Sequence, residues 1–113
     1  MPPHRICDHK VKNGAPVLVL LVAVLIAGCS DRLEGKHGEE LYRVGCAQCH
    51  GADLTGGLGP PIDAGSNADI GLSDEQVVDV IRVGPGAMPG FDRRLTEEQI
   101  ESLVVYLRVR QGR

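Results

Sequence analysis

The chain has 113 residues, with 12 basic and 15 acidic side chains and a net charge of −3. That length allows at most one domain. From Cys29 onward, 9 basic residues face 14 acidic ones, a net of −5; this excludes nucleic acid as the main partner, because phosphate binding needs a basic face.

The N-terminus reads as a targeting segment. Arg5, Lys10 and Lys12 precede residues 17–27, which are uncharged and entirely apolar. A basic stretch before an apolar run has the form of a secretory signal. As a helix the run spans only ~17 Å, against a hydrocarbon core of ~30 Å. It is short for a membrane span, although an uncleaved anchor is the alternative. Ile26-Ala27-Gly28-Cys29 resembles the lipobox of bacterial lipoproteins. The resemblance implies cleavage before Cys29 and diacylation of its thiol, against the plainer reading of Cys29 as a small residue beside an ordinary cleavage site. Two or three acyl chains anchor durably where one binds only marginally. Residues 1–28 are then a lipoprotein signal peptide, 29–35 a tether and 36–113 the domain. The expected location is the extracytoplasmic face of the cell membrane. Cys7 leaves with the signal and Cys29 takes the lipid. Only Cys46 and Cys49 remain, and no pair is left for a structural disulfide.

Three helical patterns follow. The first covers residues 36–47, with Gly38, Leu41, Tyr42 and Gly45 on one face. The second opens at Leu72-Ser73-Asp74-Glu75-Gln76, where Ser73 and Gln76 form a capping box and Leu72 with Val77 a hydrophobic staple. Val77, Val78 and Ile81 lead to Gly84-Pro85, which ends it. The third opens at Leu95-Thr96-Glu97-Glu98-Gln99, the same box. Ile100, Leu103, Val104 and Leu107 then follow the spacing of one buried face. Acids at its start, with Arg108 and Arg110 at its end, suit the helix dipole.

Between the first two helices, residues 51–71 are rich in Gly, Asp and Pro. So long a loop without secondary structure is unusual in a compact domain. It makes sense if it wraps something other than protein. The core is thin as well: the body has only Tyr42, Phe91 and Tyr106 as aromatics. So small a chain needs a staple or a cofactor.

Cys46-Ala47-Gln48-Cys49-His50 is a C-x-x-C-H run, the attachment pattern of a c-type haem. Two thiols at this spacing can reach both vinyl groups of one haem, and His50 then falls on its proximal face. A bare C-x-x-C also suits a thioredoxin-like redox pair or half a zinc site. The first needs a βαβ setting, and no convincing strand is present. The second needs further ligands, and His37 is the other histidine of the body. Met88 lies in the Gly/Pro-rich loop before the third helix, 38 residues after His50. A methionine is more often a gap-filler than a ligand. This one is in a loop rather than on a helical stripe, and it is the sole thioether after processing. His37 and Lys36 are the remaining nitrogen candidates and read as solvated.

Taken together, Gly38-x-x-Leu41-Tyr42-x-x-x-Cys46-Ala47-x-Cys49-His50-Gly51 resembles the opening of class I cytochromes c. Gly56-Gly57-x-Gly59-Pro60 resembles their proximal loop, and Gly86-Ala87-Met88-Pro89-Gly90-Phe91 is similar to their methionine loop. Residues 95–107 resemble their closing helix. With the lipobox, the chain resembles the small membrane-anchored monohaem members of bacteria. The resemblance implies an all-α fold of three main helices and long loops around one covalent haem c. It implies thioethers from Cys46 and Cys49, axial ligation by His50 and Met88, and the Pro60 carbonyl accepting from His50 Nδ1. It also implies that Gly38 lets the first helix approach the third near Tyr106. One departure is visible: many members have leucine two residues after the proline, where this chain has Ile62.

With both axial positions filled, no site is open for substrate, which favours electron transfer over enzymatic catalysis. The expected protein is a lipid-anchored shuttle between a quinol-oxidising complex and a terminal oxidase or reductase. A haem subunit of a dehydrogenase complex is the alternative. If Met88 does not ligate, a haem-based gas sensor or peroxidase is a third. Arg82, Arg93 and Arg94 are candidates for docking charge, with a solvated face slightly preferred.

Overall fold

The computed structural model describes residues 32–113. The expected signal segment, residues 1–28, with Cys7, and the expected lipidation site Cys29 lie outside the described residues. Among the described residues, five helical segments follow in order: α1 (Gly38–Gly45), α2 (Ala47–His50), α3 (Asn67–Ile70), α4 (Asp74–Val83) and α5 (Glu97–Arg110). Among the described residues there is no strand. The fold is all-α, with α1, α4 and α5 as its main helices and loops between them.

Both capping boxes form. Ser73 Oγ accepts from the Gln76 N–H at 3.3 Å, and Gln76 Oε1 accepts from the Ser73 N–H at 2.9 Å. Thr96 and Gln99 repeat the exchange at 3.2 and 3.0 Å. Each box satisfies donors that a helix start leaves open. α1 has no such residue; His37 stands at its N-cap without a side-chain bond. Its first N–H, on Gly38, donates instead to Ser102 Oγ of α5 at 2.9 Å. The cap of α1 is therefore tertiary.

The expected first helix is two pieces. Cys46 leaves the helical region (φ −124°, ψ −36°) after Gly45, and α2 restarts for one turn. Gly38 does lie against Ser102 and Tyr106, yet a Cβ there would stand 3.8 and 3.9 Å from them, an ordinary contact. Its φ of +49°, not a close approach, is what favours glycine. The loop over 51–71 is not wholly irregular either, since α3 adds a helical turn within it.

α1 and α4 both pack on α5. Leu41 and Tyr42, Val77 and Ile81, and Ile100, Leu103, Val104 and Leu107 meet in one core, joined by Leu54, Phe91 and Leu95. The Tyr42 and Tyr106 rings lie 5.3 Å apart at 41°, a tilted pair that links α1 to α5.

Two regions differ from expectation. Leu33, expected in the tether, is buried in the core at 3% exposure. Arg108, expected to be a dipole partner at a helix end, is buried too. Its guanidinium donates to Asp74 Oδ1 (2.7 Å), Ala68 O (3.0 Å), Gln111 Oε1 (2.9 Å) and Leu72 O (2.8 Å). It thereby ties the end of α5 to the loop around α3.

Candidate functional site

α1, α4 and α5 leave an apolar cleft between them, open to solvent on one side. Aliphatic side chains from α4 and α5, among them Val77, Ile81, Leu103 and Leu107, form its walls. Cys46, His50 and Met88 open onto the same space. Cys49 is exposed at the surface on α2, with its thiol free.

The short helix α2 places these groups. The Cys46 carbonyl accepts from the N–H groups of both Cys49 and His50, at 3.1 and 3.0 Å. Those bonds fix the turn that sets the two thiols and the imidazole. Behind His50, the proximal loop is laced to α2. Gly56 N–H donates to His50 O at 2.8 Å, and Gly59 N–H to Cys49 O at 2.8 Å. His50 Nδ1 then stands 2.8 Å from the Pro60 carbonyl. A ring whose Nδ1–H is donated to a carbonyl leaves Nε2 as the free lone pair, the usual arrangement behind a metal-binding imidazole.

Met88 is held by the end of α4. Gly84 closes that helix in the left-handed region, with φ +67°. A Cβ there would lie 2.3 Å from Gly90 N and 2.5 Å from Met88 O, so the methionine loop folds directly over it. Phe91 N–H donates to Ile81 O at 3.0 Å and pins the far side of the loop.

The alternatives for the cysteine pair fare poorly. Burial, helped by the neighbouring Cys49, pushes the Cys46 thiol up to about 11. A redox-active dithiol needs the opposite shift. Among the described residues, no group of three or more His, Cys, Asp or Glu side chains is gathered as a metal site. The groups that meet at the apolar space are one thiol, an oriented imidazole and one thioether, with the second thiol, Cys49, exposed on the same turn. Those residues fit a haem c. When bound, it supplies a one-electron iron couple inside a low-dielectric pocket.

Three residues border the site in roles that the motif reading did not assign. Tyr42 lines the cleft and donates its hydroxyl to the Gly51 carbonyl at 2.7 Å, bracing the residue after His50. Burial, with Cys46 and Tyr106 nearby, raises its phenol to about 12. Arg108 and Gln111 also border the cleft. Helical spacing holds their signal: Arg108 lies four residues after Val104 and Gln111 four after Leu107, on the buried stripe. Two of the three docking candidates are engaged within the domain, and the third, Arg93, is exposed. Arg82 pairs with Asp79 and Glu97, and Arg94 lies 5.6 Å from the Phe91 ring.

Comparison with known proteins agrees with this geometry. Residues 34–107 match the family described as cytochrome c oxidase, cbb3-type, subunit III. Cytochrome c55X of Paracoccus denitrificans is 42% identical over 95 residues, covering 82% of this chain and 90% of that protein. The menaquinol:cytochrome c reductase cytochrome c subunit of Geobacillus thermodenitrificans is 33% identical over 58 residues, covering 51% of this chain but only 21% of that protein. Among solved structures, the KustC0563 c-type cytochrome superposes with a TM-score of 0.59 at 31% identity, covering 66% of this chain and 96% of that one. The chain therefore belongs to the family described as cytochrome c oxidase, cbb3-type, subunit III, as a class I cytochrome c that carries electrons on one covalently bound haem c.

Proposed function

We propose that His50 and Met88 are the two axial ligands, that Cys46 and Cys49 form the thioethers, and that Cys29 carries a lipid anchor. The protein then works on the extracytoplasmic face of the cell membrane. It takes electrons from a quinol-oxidising complex and passes them to a terminal oxidase or reductase. The observation that carries the ligand assignment is the His50–Pro60 bond of 2.8 Å, which commits Nδ1 and frees Nε2, in a cleft that Met88 also lines. In this arrangement neither ligand leaves, so little reorganises when the charge changes. His/Met ligation raises the potential relative to nitrogen-only ligation.

The match to cytochrome c55X along 90% of that protein supports the carrier reading. The chain spans nearly all of the cytochrome c55X relative, yet about a fifth of the reductase subunit. The name of the latter supports a quinol-oxidising complex as the class of donor. A haem subunit of a dehydrogenase complex would instead co-purify with a large partner at stoichiometric yield.

The test is spectroscopic. The oxidised holoprotein should show the far-red sulfur-to-iron band, and Met88→Ala should abolish it while leaving the thioether-bound haem in place. Ready binding of carbon monoxide by the unmodified reduced protein would instead open the sixth site and favour a sensor or peroxidase.

A further inference from the structure

We propose that the short chain from Cys29 to Leu33 acts as a leash that holds one face of the domain, around Leu33 and the first turn of α5, against the headgroup surface of the bilayer. The inference rests on the acylation of Cys29 proposed above.

The leash is fastened more firmly than its composition suggests. Leu33 is buried, and its Cδ2 lies 3.2 Å from where a Cβ on Gly45 would stand, one residue before Cys46. The Gln99 carboxamide clamps the backbone. Its Nε2 donates to Leu33 O at 2.7 Å and to Lys36 O at 3.0 Å. Its Oε1 is already taken by the Thr96 N–H of the capping box. One side chain thus starts α5 and locks the incoming chain to it.

The domain therefore takes hold of the chain at Leu33 rather than at the start of α1. From Cys29 to Leu33 there are four residues, at most about 14 Å fully extended. A domain of this size is roughly 30 Å across. A leash about half that length keeps the Leu33 face towards the lipid and keeps the opposite face from reaching it. The face suits hydrated headgroups rather than acyl chains. A groove there is bordered by Glu34, His37, Arg94, Thr96 and Glu98. Because Leu33 touches the residue before Cys46, the haem-bearing turn is held near the membrane as well. The carrier then meets its partners by sliding in the bilayer that they share.

The test uses the full-length acylated holoprotein in vesicles of phosphatidylethanolamine and phosphatidylglycerol carrying a headgroup-labelled fluorescent lipid, which the haem quenches. Inserting about 20 Gly/Ser residues between Asp31 and Arg32 adds a coil of ~25 Å and should weaken quenching roughly two- to threefold. Gln99→Glu keeps the capping acceptor but sets a carboxylate against two carbonyls. It should release the strap, weaken quenching and expose residues 32–36 to protease. If Gln99→Glu fails to retain haem, the insertion variant decides alone. Equal quenching by the native and extended proteins, both vesicle-bound, would overturn the leash and leave the anchor standing. Native protein found in the soluble fraction would overturn both.

Discussion

The Tyr42 hydroxyl stands 2.7 Å from the carbonyl of Gly51, directly behind the histidine of the attachment motif. Sequence marks Tyr42 as a helix-face aromatic; its polar end acquires meaning only when the chain turns back at Gly51. Its phenol is raised from 10.0 to about 12, chiefly by burial. The sign of the consequence is definite. The folded state holds this proton more tightly than the unfolded state, so the stabilisation is complete below pH 10.0 and is lost as pH rises towards about 12. Tyr42→Phe should flatten that alkaline decline in chemical-denaturation midpoints. At neutral pH it should cost about 1 kcal/mol, the worth of one hydrogen bond. An unchanged alkaline slope would assign the decline to another group.

At the level of elements, Arg108 illustrates how magnitude separates two similar contacts. Its ion pair with Asp74 is short at 2.7 Å, but the Asp74 side chain is 64% exposed and water screens it. An exposed pair contributes below ~1 kcal/mol. The bonds from the buried guanidinium to the Ala68 and Leu72 carbonyls matter more, because losing the donor leaves two part-buried acceptors without it. We expect Asp74→Asn to cost less than ~1 kcal/mol and Arg108→Met about 3 kcal/mol, both read from urea unfolding of the holoprotein. Comparable losses for the two would show that the ion pair, not the carbonyl clamp, ties α5 to the loop. The capping boxes of α4 and α5 were legible because a box is local in sequence. The cap of α1 was not, since its acceptor, Ser102, is 64 residues away.

Across the molecule's described residues, α1 and α4 pack on α5 yet leave an apolar cleft between them. A core built around such a space lacks the contacts that would hold it shut, and a chain this small has little surplus stability. Attached haem supplies the missing apolar surface. We expect the double variant Cys46→Ala/Cys49→Ala, which cannot attach haem, to lack native-like amide-exchange protection and cooperative unfolding. Native-like protection in that variant would mean that the polypeptide core suffices by itself.

The sequence alone determined the features whose cause is local. These are the helix starts at Ser73 and Thr96, the stop at Gly84, the buried stripe of α5, and the adjacency of Cys46, Cys49 and His50. Each follows from neighbours within about one helical turn, where periodicity and capping act. Tertiary structure decided what depends on groups far apart in the chain. It buried Arg108 among backbone carbonyls and drew Leu33 out of the expected tether into the core. Both side chains are buried, and a buried side chain takes the partners, polar or apolar, that the fold brings to it; those partners cannot be read from residues nearby in sequence.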